Sequence, residues 1–187
     1  MPSQQDIIHP TWQTLSKLYR FEDPDGTLGL CAQYGASTEE LIMAAKDRGL
    51  DRYRGCSEIV GNKALNLGLQ YLIDMVLNIT PAATKWDATH AQIVVGDQSA
   101  PEDAEQDQLE AQRIGTSYRA QGMDAGFPQR DGQTMIFRSS FLSGIAVFSW
   151  LEWGVSNGVR LLNRRVDNVG TKPEFDLWIF EVGLTWS

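Results

Sequence analysis

The sequence has 187 residues, of which 42% are hydrophobic and 21% charged, and 24 acidic against 16 basic residues give a net charge of −8. This composition is typical of one globular domain and excludes a chain that is disordered throughout. An acidic excess argues against direct binding of nucleic acid, which needs a basic surface. There is no run of 18 apolar residues and no signal peptide in the first 20 residues, so we expect no membrane association.

The first 30 or so residues are predicted to form an N-terminal arm, because Pro2, Pro10 and Pro24 interrupt them. Apolar residues between the prolines recur at spacings of three and four, which predicts a short amphipathic helix. This helix packs either on its own domain or on a neighbouring subunit. The second alternative makes its apolar side chains candidate assembly contacts. These candidates are Trp12, Leu15, Leu18, Tyr19 and Phe21.

Two further helices are predicted before the first strand. Ser37 and Glu40 form a capping box that begins a helix over about 38–48. Asn62–Leu77 carries an apolar stripe with the helical period, which we expect to lie in the core. The stripe consists of Leu65, Leu69, Leu72, Ile73 and Val76.

The stretch from Asp97 to Glu110, which we call the acidic segment, contains six acidic residues and no basic residue. A second capping box, Ser99 with Glu102, predicts a short surface helix near 100–112. The spacing of a calcium-binding loop is missing, so the acids indicate a solvated face.

From residue 91 onward, apolar residues mostly alternate or form short runs, which is typical of strands. Strands are predicted at 91–95, 133–141, 145–155, 161–166 and in the C-terminal segment with Trp178 and Trp186 on one face. The third of these is apolar on both faces, with Phe148 and Trp150 on one face and Trp153 on the other. Asn157-Gly158 predicts a hairpin turn after it.

Because helices precede the strands rather than alternating with them, a parallel sheet is disfavoured. The predicted fold class is α+β, mainly β. We expect an antiparallel β-sandwich, jelly-roll or Ig-like, with an N-terminal arm and two or three helices. Residues 1–56 are assigned to the arm and short helices, and residues 57–187 to a helix and the sandwich.

The residues of common active sites are sparse. Only His9 and His90 could serve a catalytic triad, no serine lies in a GxSxG motif, and neither phosphate-binding glycine motifs nor HExxH occur. Glu152 and Glu181 are notable because each lies in an otherwise apolar strand. Catalysis by a carboxylate pair is one alternative. The favoured interpretation is a buried or edge ion pair.

Glu152 has three candidate partners, Arg138, Arg164 and Arg165. The two cysteines, Cys31 and Cys56, are expected to be reduced and mostly buried, since neither belongs to a CxxC motif or Cys/His cluster. We therefore predict no enzyme activity, no cofactor and no tightly bound metal.

Residues 57–187 contain an ordered series of short motifs. They are Gly61-Asn62-Lys63, Ile93-Val94-Val95-Gly96-Asp97, Phe127-Pro128, Phe148-x-Trp150-x-Glu152-Trp153-Gly154, Leu162-Asn163-Arg164-Arg165-Val166 and Gly170-Thr171-Lys172. Together they resemble small virion structural proteins of tailed bacteriophages. The resemblance implies a β-sandwich in the phage particle, without catalytic residues to carry over. Residues 1–56 lie outside the resemblance.

Three functions are compatible with this resemblance. The first is a capsid decoration (cement) protein that clamps neighbouring subunits of the major capsid protein on the outer head surface, with a homotrimer favoured at threefold lattice positions. The second is a neck, tail or baseplate component. The third is a carbohydrate-binding or hydrolytic sandwich on the particle, which would need an exposed tryptophan platform or a carboxylate pair in a cleft. All three place the chain in the virion, with the outer capsid surface favoured, after synthesis in the cytoplasm of a bacterial host.

Overall fold

A computed structural model describes residues 12–47, 52–79 and 84–186, and all structural statements below concern these residues. They form ten strands and four helices. In chain order these are β1 (Trp12–Glu22), α1 (Thr27–Gln33), α2 (Thr38–Asp47), β2 (Tyr53–Val60), β3 (Lys63–Ala64), α3 (Asn66–Val76), β4 (Gln92–Gly96), α4 (Glu110–Ile114), β5 (Tyr118–Gly122), β6 (Gln129–Asp131), β7 (Thr134–Phe141), β8 (Ser149–Ser156), β9 (Leu161–Thr171) and β10 (Asp176–Trp186).

The strands form two five-stranded sheets. Sheet A has the order β2-β1-β10-β7-β6, and sheet B has the order β3-β9-β8-β4-β5. Every strand pair is antiparallel. The predicted α+β fold with an antiparallel sandwich is therefore confirmed.

The main core lies between the two sheets and is rich in aromatic rings. Trp150 lies edge-on to Phe141 and Trp178, with ring centroids 4.6 and 4.9 Å apart, and Trp153 lies edge-on to Phe180 at 4.9 Å. Such edge-to-face pairs add about 0.5–1.5 kcal/mol beyond the burial of their area. All five rings are buried, so aromatic side chains fill the centre of the sandwich.

A second core lies on the outer face of sheet A. Phe21 of β1 and Ile179 of β10 point outward there, and Leu28 of α1 and Leu41 of α2 cover them. The first half of β10 is consequently buried on both faces, as the apolar residues of that strand suggest. The reciprocal capping bonds that begin α2 are present, from the Glu40 amide to Ser37 Oγ and from the Ser37 amide to the Glu40 carboxylate.

The predicted helix over Trp12, Leu15, Leu18 and Tyr19 is wrong, because this segment is strand β1. β1 pairs with β2 on one side and with β10 on the other. Its inward positions include Thr14 and Ser16, two buried polar residues. Because these inward positions are polar, the strand lacks the usual alternation of apolar and polar residues. The apolar residues that remain are spaced three and four apart, as in a helix.

The sequence predicted that Trp150 and Trp153 lie on opposite faces of the strand that the structure shows as β8. This prediction is also wrong. Trp150 and Trp153 lie three residues apart, yet both enter the main core. The register with β9 shifts between Trp150 and Glu152, which marks a β-bulge. A bulge inserts one residue and thus brings the two rings to the same face.

The helix predicted near 100–112 is reduced to the short α4, and the rest of the acidic segment is an irregular loop. The Glu102 carboxylate does not close the predicted capping box, because it accepts from the Val166 amide at 2.7 Å. The Arg164 guanidinium donates to the carbonyls of Ala100 and Pro101 at 2.9 and 3.1 Å. These long-range bonds to β9 replace the bonds that a helix would have made.

The Asn157-Gly158 hairpin is confirmed. Gly158 has φ 80°, in the left-handed region that glycine adopts readily. Asn157 Oδ1 accepts from the amides of Val159 and Arg160 at 3.0 and 2.7 Å. The asparagine side chain therefore holds the turn between β8 and β9.

Candidate functional site

The five predicted assembly contacts do not lie on one surface. Leu18 is buried in the main core, and Phe21 is buried in the second core on the opposite face of sheet A. Tyr19 is half-buried beside that second core, Trp12 is half-buried, and Leu15 is exposed. Leu18 and Phe21 are therefore part of this protein's own core, which corrects their assignment as contacts.

Trp12 and Leu15 lie beside a depression of about 580 Å³ at the end of sheet A where β1 begins and β10 ends. Trp12 is held there by an edge-to-face contact with Trp186 at 4.8 Å and by a bond from its indole nitrogen to Asn62 Oδ1 at 3.0 Å. Val60 also lines the depression and is exposed. This end of sheet A thus presents anchored aromatic and aliphatic side chains.

A second apolar surface follows the last turns of α3, and we call it the helix patch. It consists of Ile73, Val76, Leu77 and Ile79. Each of the four is more than half exposed, and Val76 reaches 78%. Ile73 and Val76 belong to the stripe that the sequence assigned to the core, so that prediction is wrong for the outer part of the stripe.

The helix patch borders a groove of about 260 Å³ that runs toward the main core. One wall of the groove is formed by α3, through Leu72, Met75 and Val76. The other walls include Trp86 and Met135. Met135 pairs with Leu184 near the end of β10, so the groove and the depression occupy the same end of sheet A. Sequence reasoning missed this surface because the apolar period of a helix does not tell which neighbour will cover each position.

The predicted ion pair of Glu152 is confirmed, and its partner is Arg164. Arg164 Nε and Nη2 both lie 2.7 Å from Glu152 Oε2, and both side chains are fully buried. Glu152 also accepts from the amides of Glu110 and Ala111 at 3.0 and 2.6 Å. The carboxylate therefore fastens α4 and the acidic segment to sheet B.

Glu181 lies in a different place and does not form a pair with Glu152. It projects from the outer face of sheet A, where it accepts from Thr38 Oγ1 at 2.7 Å. Its strand neighbours, Phe180 and Val182, point into the main core. Glu152 points outward from the opposite sheet, so the whole sandwich separates the two carboxylates.

A second buried ion pair joins Asp124 to Arg138. Arg138 Nε lies 3.0 Å from Asp124 Oδ2, and Ser140 donates to the same carboxylate through its amide and hydroxyl at 2.9 and 2.7 Å. Burial raises the pKa of Asp124, while the bonds from Ser140 and the charge of Arg138 oppose that rise. Arg138 also donates to the Ala36 carbonyl at 2.7 Å, which links β7 to the loop before α2.

Lys172 is a further buried charged group. Its ammonium donates to the carbonyls of Leu142 and Asp176 at 2.9 and 2.5 Å, and its side chain has no exposed surface. Burial lowers the pKa of Lys172 to about 8, and the nearby Asp176 opposes this change. These contacts tie together the loop before β8 and the turn before β10.

Other candidate groups are engaged locally. Asp97 accepts from Thr116 Oγ1 at 2.6 Å and from the Ser117 amide, and the ring of His90 lies 2.8 Å from Asp87. The part of the chain that the structure describes contains no cluster of three metal-ligating side chains. His9 lies outside the described residues.

Both cysteines are exposed free thiols, which corrects the expectation that they are mostly buried. Cys56 lies on β2 and Cys31 on α1. Desolvation by partial burial of the side chain is the main cause that raises the pKa of the Cys56 thiol, and the charge of Glu58 adds to it. A raised pKa reduces the fraction of reactive thiolate at neutral pH.

All six tryptophans are among the described residues. Four of them are buried, and Trp12 and Trp186 are half-buried against each other. None of the six is a largely exposed side chain. Among residues 12–47, 52–79 and 84–186, no helix has the length and apolarity to cross a bilayer.

No protein-family model, curated protein or solved structure matches this chain.

Proposed function

We propose that this protein is a non-enzymatic structural component of a tailed-bacteriophage particle, and specifically a capsid decoration (cement) protein on the outer head surface. The motif series of residues 57–187 supports the particle as its location. The exposed helix patch is the observation that supports a role in binding. In this proposal the major capsid protein is the partner, and the protein forms homotrimers at threefold positions of the lattice.

The helix patch supports binding because apolar side chains gain free energy when a partner removes them from water. Burial contributes about 25 cal/mol per Å² of apolar surface. Contiguous exposed apolar surface on a folded protein commonly marks an interaction site. Four neighbouring aliphatic side chains at one end of the sandwich are therefore suited to contact a capsid subunit. The depression beside Trp12 lies at the same end of sheet A.

The buried charges support a structural role over a catalytic one. Glu152, Arg164 and Lys172 are fully buried and bonded to backbone groups of loops and helix ends. They hold the loops around the sandwich in place. The acidic segment faces outward on sheet B, which suits a surface that points away from packaged DNA.

The test is rebinding of purified protein to phage heads that lack it. Ile73→Asp places a charge in the helix patch, and we expect it to weaken rebinding at least tenfold because it desolvates a carboxylate at the interface. Ile114→Asp is the matched control, since Ile114 is a similarly exposed isoleucine on α4 (47% against 54%). Equal binding of both variants would contradict the role of the helix patch, and failure of the unaltered protein to bind would contradict the function.

A further inference from the structure

The groove beside the helix patch combines apolar walls with one cationic side chain. Leu72 and Met75 of α3, Met135 of β7 and Leu162 of β9 line it. Lys85 lines it as well and is an exposed residue. Apolar walls with a single charged group are suited to a ligand that has an apolar part and an opposite charge close to it.

The charge of Lys85 is not neutralised by its surroundings. Within the described residues its ammonium makes no ion pair. Asp87, two residues along the chain, already accepts from the amide of His90 and lies 2.8 Å from the His90 ring. By the helical period, Asp74 lies on the side of α3 away from Leu72. Lys85 is therefore available to an acidic group of a partner.

Trp86 adds a second polar group to the same groove. Its side chain forms one of the walls and is only 9% exposed. Its indole Nε1 is buried and has no hydrogen-bond partner in the part of the chain that the structure describes. A buried N–H without an acceptor costs free energy, which an oxygen atom of a ligand would recover. Two consecutive residues thus offer donors to a ligand oxygen.

The backbone that carries these two residues is held in place. The Thr84 amide donates to Tyr71 Oη at 2.8 Å, and Asn157 Nδ2 donates to the Thr84 carbonyl at 2.6 Å. Tyr71 also lies edge-on to Trp86, with ring centroids 5.7 Å apart. Because α3 and the turn after β8 position this segment in advance, binding need not order it, which lowers the cost of association.

We propose that the groove binds a segment of a partner protein in which a large aliphatic side chain lies next to an acidic one. The aliphatic side chain packs between α3 and Met135, and the carboxylate accepts from the Lys85 ammonium and from Trp86 Nε1. A cavity of about 150 Å³ holds a benzene ring, so a groove of about 260 Å³ admits one such side chain. The proposal rests on the proposed function only for the identity of the partner as the major capsid protein.

The first test uses small probes and needs no phage particle. The dipeptides N-acetyl-leucyl-glutamate amide and N-acetyl-leucyl-glutamine amide differ only in the carboxylate. In NMR titrations we expect the glutamate peptide to bind at least about threefold more tightly and to shift the indole N–H signal of Trp86. Lys85→Met removes the charge but keeps an aliphatic side chain, and it should abolish this preference. Lys46→Met, the same change at an exposed lysine of α2, is the matched control and should retain it.

Three results of this first test would overturn the proposal. The first is equal affinity for the two peptides or no shift of the Trp86 signal. The second is tighter binding of hexanoate than of the glutamate peptide, which would identify a free aliphatic acid as the ligand. The third is self-association of the unaltered protein that Lys85→Glu abolishes, which would place a second copy in the groove.

The second test uses phage heads that lack the protein. Lys85→Glu places like charges in the contact, and we expect it to weaken rebinding about tenfold, whereas Lys46→Glu should bind normally. Equal rebinding of these two variants would overturn the assignment of the groove to the capsid protein. Failure of the unaltered protein to bind heads would instead contradict the proposed function, and the peptide result would stand independently of it.

Discussion

Polar residues in apolar strands are used in this protein to fix loops. The Glu152 carboxylate receives an arginine and two amides of α4, and the Lys172 ammonium donates to two loop carbonyls. Each buried charge thus has several partners, which offsets the cost of removing it from water. That Glu152 forms an ion pair was predictable, because a lone carboxylate in a buried strand needs a cation.

We expect Glu152→Gln to lower the free energy of unfolding by about 3 kcal/mol, because it leaves the buried Arg164 charge unpaired. Glu58→Gln removes the exposed pair with Lys17 and should cost less than about 1 kcal/mol. Urea denaturation of both variants measures the difference. If both variants lose equally little free energy of unfolding, the buried pair does not stabilise the fold.

The stability contribution of Lys172 should depend on pH. Its pKa is about 8 in the folded protein against an ordinary value of 10.5, so the unfolded chain binds more protons between these values. Stability therefore rises with pH across this window. Relative to Lys172→Met, we expect the free energy of unfolding of the unaltered protein to rise by on the order of 3 kcal/mol across this window, as measured by denaturant unfolding. If the difference in free energy of unfolding between the two proteins does not change with pH, the carbonyls keep Lys172 protonated.

Among the secondary-structure elements, the position of β1 decides how the N-terminal part of the described chain behaves. β1 lies between β2 and β10 and contributes to both cores through Leu18 and Phe21. The segment is thus integral to sheet A. A clamp made by this segment would have to use its exposed positions and its end near Trp12.

We expect Leu18→Ala to lower the free energy of unfolding by about 2–5 kcal/mol, because it creates a cavity in the main core. Leu15→Ala, three residues earlier on the exposed face, should cost less than about 1 kcal/mol. Thermal or urea unfolding of the two variants compares them directly. Similar losses would contradict the strand, since a helix would place both residues on one side.

Elements with uninterrupted patterns were predictable and others were not. β10 keeps its apolar alternation from Trp178 to Leu184, and the Asn157-Gly158 turn has the residues its backbone requires. β1 breaks its pattern with buried Thr14 and Ser16. The acidic segment carries a local capping signal, but the tertiary bonds of Arg164 override it. Long-range bonds of this kind leave no trace in local spacing.

The sandwich as a whole leaves one end apolar. The depression beside Trp12, the groove at Met135 and the helix patch lie toward the end of sheet A where β10 finishes. Of the five contacts predicted from sequence, only Trp12 and Leu15 lie at this end. The helix patch could not be predicted, because a stripe of apolar residues looks the same whether or not a neighbouring element covers it.

A structural role in the phage head predicts a high copy number. Quantitative mass spectrometry of purified particles measures the number of copies of this chain relative to the major capsid protein. We expect hundreds of copies per particle, as a decoration protein requires. Six or twelve copies would contradict decoration and indicate a neck or tail component, and absence from the particles would contradict a structural role in the virion.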